Sequence, residues 1–142
     1  MNSILDELKY AFQRPNNGLM QIIVINLIIF LTLLLIWVPL TISNEGDIYK
    51  IIVDQLTLPA ALNRLIYQPW TLVTYFFTHE GFLHILFNML FLYWFGKIIQ
   101  EFLGDEKVVN LYILGGLVGG VFYILIYNLI PYFQNQITGS EM

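Results

Sequence analysis

Cysteine is absent from all 142 residues. Its absence excludes a disulfide framework, a thiol nucleophile and any thiolate-bound metal. Charge is scarce as well: Asp, Glu, Lys and Arg make up 11% of the chain, against 58% hydrophobic residues. A soluble domain carries about a quarter of its residues charged, so this composition points to an integral membrane protein whose first partner is the lipid bilayer. The formal net charge of -4 is scattered over connecting segments, without acidic or basic runs. No nucleic-acid partner is expected from such a distribution, nor recruitment by anionic lipid alone. One compact unit is expected from the length.

What the chain has in quantity is long apolar sequence. The first stretch, residues 19–42, is interrupted only by Gln21, Asn26, Thr32, Trp37, Pro39 and Thr41. It exceeds the roughly 7–15 residues of a signal-peptide core, and no small-x-small cleavage site follows it. At more than the about 20 residues a spanning helix needs, it reads as a retained transmembrane helix. A second span is expected over residues 82–102 and a third over 108–131, joined by the polar turn Gly104-Asp105-Glu106-Lys107. The third carries Gly115, Gly116, Gly119 and Gly120, two overlapping small-xxx-small patterns expected to serve close packing against another helix.

The flanking segments are amphipathic rather than uniformly apolar. Ile4, Leu5, Leu8 and Phe12 fall at helical spacing, so residues 1–18 are expected to form an N-terminal interfacial helix, broken at Pro15 to Gly18. Residues 43–81 are expected to form a partly helical, membrane-embedded loop, with Ile48, Ile51, Ile52 and Leu56 on one stripe and a second short piece from Pro59 to Tyr67. Lys9 and Arg14 precede the first span, and Lys97 and Lys107 border the turn after the second. The positive-inside rule then places the N-terminus in the cytoplasm, with the long loop and the tail 132–142 on the outer side.

Within the apolar sequence stands a polar constellation, His79, His84 and Asn88, in HEGFLHILFNMLFLYWFG. Polar groups at bilayer depth are costly and mark a functional hypothesis by default. On one continuous helix His79 and His84 would point about 140° apart, and His79 and Asn88 about 180° apart. A break at Gly81 is therefore expected, with His79 on the incoming loop and His84 and Asn88 on the first turns of the span. A neutral imidazole and a carboxamide both offer N–H donors, which suits stabilisation of an oxyanion on a carbonyl. A structural role in hydrogen-bonding neighbouring helices stands beside that reading. His79, Glu80 and His84 are the only local metal-ligand candidates and their angular spread is poor, so neither metal nor cofactor is expected.

Trp70, Thr74, the spacing His79-x4-His84-x3-Asn88, Gly96, Gly104 and the stretch LYILGGLVGG together resemble the rhomboid intramembrane serine proteases, over roughly residues 69–131. The resemblance implies a bundle of six or more helices that cleaves transmembrane protein substrates near the outer face. In it, the positions matching His84 and Asn88 are associated with the oxyanion hole, and the position matching His79 lies near the substrate entrance. The family's serine opens its fourth helix and its histidine base sits on the sixth, and catalysis proceeds through an acyl-enzyme. Neither dyad position falls within this sequence, and Ser140 lies in a polar tail with no histidine after Asn88. Thr71 stands where the family often has arginine after the tryptophan, and Gln100, beside Glu101, stands where it often has glutamate.

The expected fold is thus an all-α membrane protein with three transmembrane helices, residues 19–142 forming one partial rhomboid-like domain that resembles the first half of a six-helix bundle. The expected function is that of an intramembrane serine endopeptidase, present as an N-terminal portion with the oxyanion-side residues and without the dyad, and inactive alone. Its expected place is a multi-pass position in a bacterial inner (plasma) membrane. Self-association or a C-terminal half would cover its open faces. Two alternatives stand beside it: a non-catalytic rhomboid-like protein that binds transmembrane helices, and an unrelated small subunit of a membrane complex.

Overall fold

The computed structural model describes residues 17–130 together with Lys9 and Phe133. The expected interfacial helix near the N-terminus and the tail 132–142 fall outside the described residues, apart from those isolated positions. Among the described residues seven helical elements follow in order: α1 (Gly18–Ile42), α2 (Gly46–Asp54), α3 (Leu62–Tyr67), α4 (Thr71–Thr74), a 3-10 turn (Tyr75–Phe77), α5 (Phe82–Leu103) and α6 (Asp105–Leu129). No strand occurs among the described residues. Helices α1, α5 and α6 are each long and apolar enough to cross a bilayer. Inside hydrocarbon, backbone N–H and C=O groups must be satisfied within the segment, which a helix achieves. The chain is an all-α integral membrane protein.

Helix α6 begins at Asp105, three residues ahead of the apolar run. Asp105 and Glu106 occupy its first turn, where negative charge favours the exposed N–H groups. The whole corner between α5 and α6 is then Gly104, whose φ of 87° suits a residue without Cβ.

Two compact units divide the chain. The first combines the described residues up to Leu35 with His79–Ile113, and the second combines Ile36–Thr78 with the described residues from Leu114 onward.

In the first unit, Leu19, Ile23 and Val108 form a core, with Met89, Leu92 and Ile99 packed against it. Gly96 lies directly against the Leu19 side chain, where a Cβ would collide. Asp105 accepts hydrogen bonds from the backbone N–H of Gly18 at 2.6 Å and of Leu19 at 3.3 Å, and from Gln100 Nε2 at 2.8 Å. A carboxylate from one helix thereby caps the N-terminus of another, and Gly18 permits it, since a Cβ there would sit 2.9 Å from Asp105 Oδ2. Replacing Asp105 by alanine should cost about 0.5–2 kcal/mol, the range of a lost helix cap. Thermal unfolding in detergent micelles checks this, and an unchanged midpoint would remove the cap from the account. Asn26 is fully buried, and its Nδ2 donates to Ile22 O at 2.8 Å and to the Tyr112 hydroxyl at 3.1 Å.

In the second unit, the loop pieces are tied by side chains. Trp70 Nε1 donates to Gln55 O at 2.8 Å, Thr74 Oγ1 to Leu56 O at 2.8 Å, and Asn128 Nδ2 to Ala60 O at 2.9 Å. The glycine ridge of α6 meets this loop. A Cβ at Gly116 would stand 2.6 Å from the Phe76 ring, and one at Gly120 3.0 Å from the Tyr75 hydroxyl and 3.1 Å from Leu58. The Tyr75 hydroxyl donates to the Gly116 carbonyl. Among the described residues, Gly116 and Gly120 therefore meet the aromatic 3-10 turn and Leu58 rather than a second long helix. Burial pushes the Tyr75 phenol up, so it keeps its proton and its donor role.

Candidate functional site

Gly81 takes φ 100° at the N-cap of α5, a conformation that L side chains rarely adopt. The bend it makes separates the His79 segment from the helix and removes the angular conflict of a continuous helix. His79 is only 9% exposed, and its ring centroid lies 5.3 Å from that of His84, with the planes 64° apart in an edge-to-face arrangement. The two imidazoles, incompatible on one ideal helix, are neighbours once the chain turns at Gly81.

His84 and Asn88 lie one turn apart on α5, about 40° apart around its axis and about 6 Å apart along it. Both side chains are exposed. The residues that follow each of them, Ile85 and Met89, turn instead toward α1, Ile85 being 2% exposed. Beyond Asn88 the same stripe continues as Phe91 and Phe95, rings stacked at 6.1 Å and each more than half exposed. One face of α5 thus presents an imidazole and a carboxamide, then two aromatic rings.

That arrangement can donate two hydrogen bonds from neighbouring groups toward a common point beside the helix. It does not enclose that point: the hollow expected around His79, His84 and Asn88 is left open by the described residues. A cavity in this unit lies on another face of α5, between α1 and α5, and takes Ile85 and Met89 into its wall rather than His84 or Asn88. Among the described residues no three His, Asp or Glu side chains gather as a metal site.

Three of the features now described have partners that the sequence did not name: the Asp105 cap on α1, the buried Asn26–Tyr112 pair and the Tyr75–Phe76 seat on the glycines. Asn26 offered a hint, as a carboxamide set within the first apolar run.

The fold and the polar face of α5 define a helical membrane protein with a histidine–asparagine donor pair at the start of a spanning helix. Residues 67–133 match the rhomboid domain family. The chain is 42% identical over 55 residues to the mitochondrial RHOMBOID-like protein 12 of Arabidopsis thaliana, an overlap of 39% of this chain and 16% of that protein. It is 41% identical over 54 residues to the chloroplastic Rhomboid-like protein 16 of the same plant, an overlap of 38% and 17%. No solved structure gives a significant match. Residues 67–133 thus carry a rhomboid domain, and proteins with this domain are generally intramembrane serine proteases. The chain spans about a sixth of the length of the two relatives.

Proposed function

We propose that this chain is the N-terminal, oxyanion-side portion of a rhomboid-type intramembrane serine endopeptidase acting on transmembrane proteins. The observation that carries the reading is the exposed pair His84 and Asn88, aligned one turn apart on α5 with His79 folded back against His84. In the reaction, a serine from outside residues 1–142 attacks the scissile carbonyl, and a histidine beyond them takes its proton. The Asn88 carboxamide and the His84 imidazole donate to the oxygen that gains charge, worth more in a water-poor site than in bulk solvent. His79, at the bend that leads into the helix, lines the substrate's approach.

Depth supports this assignment. Leu19, at the start of α1, packs on Gly96, and α5 rises about 18 Å from Gly96 back to His84. Measured against a hydrocarbon core of about 30 Å, His84 would lie inside the membrane and nearer the face opposite Gly18. The distribution of Lys9, Lys97 and Lys107 supports a cytoplasmic N-terminus, so that this opposite face is the outer one.

The test is cleavage by the full-length product of the coding sequence that contains these residues, reconstituted with a single-span substrate in proteoliposomes. Cleavage on the outer side, stopped by a serine-directed inhibitor, is the expected result. Substrate that co-purifies intact, with no product and no inhibitor adduct, would replace this reading with a non-catalytic helix-binding one.

A further inference from the structure

The groove between α1 and α5 has a shape, a length and a charged end that together describe a ligand. It encloses about 450 Å³ and its wall is carbon almost throughout, running from Met20 and Tyr93 at one end to Leu31 and Phe82 at the other, with Leu27 and Met89 between. Met20 to Leu31 on one side and Phe82 to Tyr93 on the other each span eleven helical steps, a length of about 16 Å. Half of a hydrocarbon core is about 15 Å, so the groove runs the depth of one leaflet.

Its polar end is marked by charge. Lys97 lies one turn beyond Tyr93, and its Nζ sits 5.3 Å from the centroid of the Tyr93 ring. The contact holds the ammonium over the mouth of the groove. Among the described residues no carboxylate bridges Lys97. The Leu19–Gly96 contact sets this end level with the start of α1, where the helix emerges toward the interface.

We propose that the α1–α5 groove is a binding site for one anionic phospholipid of the leaflet at the Gly18 end of α1. One acyl chain lies in the groove between Leu27 and Met89, and the headgroup phosphate pairs with Lys97 beside the Tyr93 hydroxyl. A lipid fits better than a protein segment here. An acyl chain leaves no backbone polar group to satisfy against an apolar wall, whereas an irregular peptide in the groove would. The site lies on a different face of α5 from His84 and Asn88, so it stands or falls apart from the proteolytic reading.

The experiment uses the full-length protein that contains these residues, in nanodiscs of phosphatidylcholine doped with spin-labelled phosphatidylglycerol or spin-labelled phosphatidylcholine. The motionally restricted fraction is read for each. Phosphatidylglycerol should be held about fivefold more strongly, the factor that corresponds to the roughly 1 kcal/mol of one lysine near an anionic headgroup. Lys97→Gln should bring the two lipids level, and Lys97→Arg should restore the preference. Leu27→Trp, and independently Leu86→Trp, should fill the groove and release the restricted population of both lipids at unchanged helical content. Equal retention of both lipids by the parent chain, or a preference untouched by Lys97→Gln, would overturn the proposal. So would restriction that persists when either tryptophan variant is folded, or a second copy cross-linked through the groove.

Discussion

Asn88→Ala in the full-length protein should lower kcat by about 10²–10³ and leave KM for a transmembrane substrate within a few-fold, the loss typical of removing one oxyanion-hole donor. The split follows from where the group acts. A donor aimed at the developing oxyanion strengthens its bond only as charge accumulates, so its removal raises the barrier without loosening the ground-state complex. Asn88 is exposed on α5 and forms no part of the Leu19–Ile23–Val108 core, so truncation there leaves packing intact. His84→Ala should act in the same sense, and the double variant should lose less than the sum if the two donors share one oxygen. A KM that rises with kcat unchanged would assign Asn88 to substrate binding instead.

Enlargement of the glycine ridge should have the largest effect on stability. Leucine at position 116 would need space that the Phe76 ring fills, since even a Cβ would stand 2.6 Å from it. Overpacking of this kind costs about 1–3 kcal/mol. It would also dislodge the Tyr75 hydroxyl from the Gly116 carbonyl. Gly115, one residue earlier, has nothing within 4 Å of its would-be Cβ, so Gly115→Leu serves as the matched control. Thermal unfolding in micelles should show Gly116→Leu melting well below the parent and Gly115→Leu close to it. Equal behaviour of the two would mean that the Phe76 contact does not hold the loop.

The two outcomes bear on different links between sequence and activity. The His84–Asn88 spacing was legible because helical periodicity alone puts positions four apart on one face. The bend at Gly81 was legible because His79 and His84 cannot share an ideal helix, and the structure resolves that conflict with a positive φ. The three long apolar helices announced themselves by composition, since a bilayer admits few other solutions.

Other features were hidden for physical reasons. The glycines of α6 signalled close approach, but small size says nothing of what approaches, and the partner proved to be the rings of Tyr75 and Phe76. Asp105 could as well have capped its own helix, and only the fold directs it to Gly18 and Leu19. The open side of His84 and Asn88 was likewise unreadable, because spacing fixes which residues share a face and not what lies opposite it. The α1–α5 groove arises from the shapes of two helices together, and neither segment carries a pattern for it.

The most direct measurement is active-site labelling of the full-length protein in membranes with a fluorophosphonate probe, followed by peptide mapping of the adduct. The account predicts one modified serine outside residues 1–142, labelled markedly more slowly when Asn88 or His84 is replaced by alanine, because the phosphonyl oxygen occupies the same donors as the acyl oxyanion. A labelled serine within residues 1–142, an absence of any adduct, or labelling at the same rate in the Asn88→Ala and His84→Ala variants would contradict it.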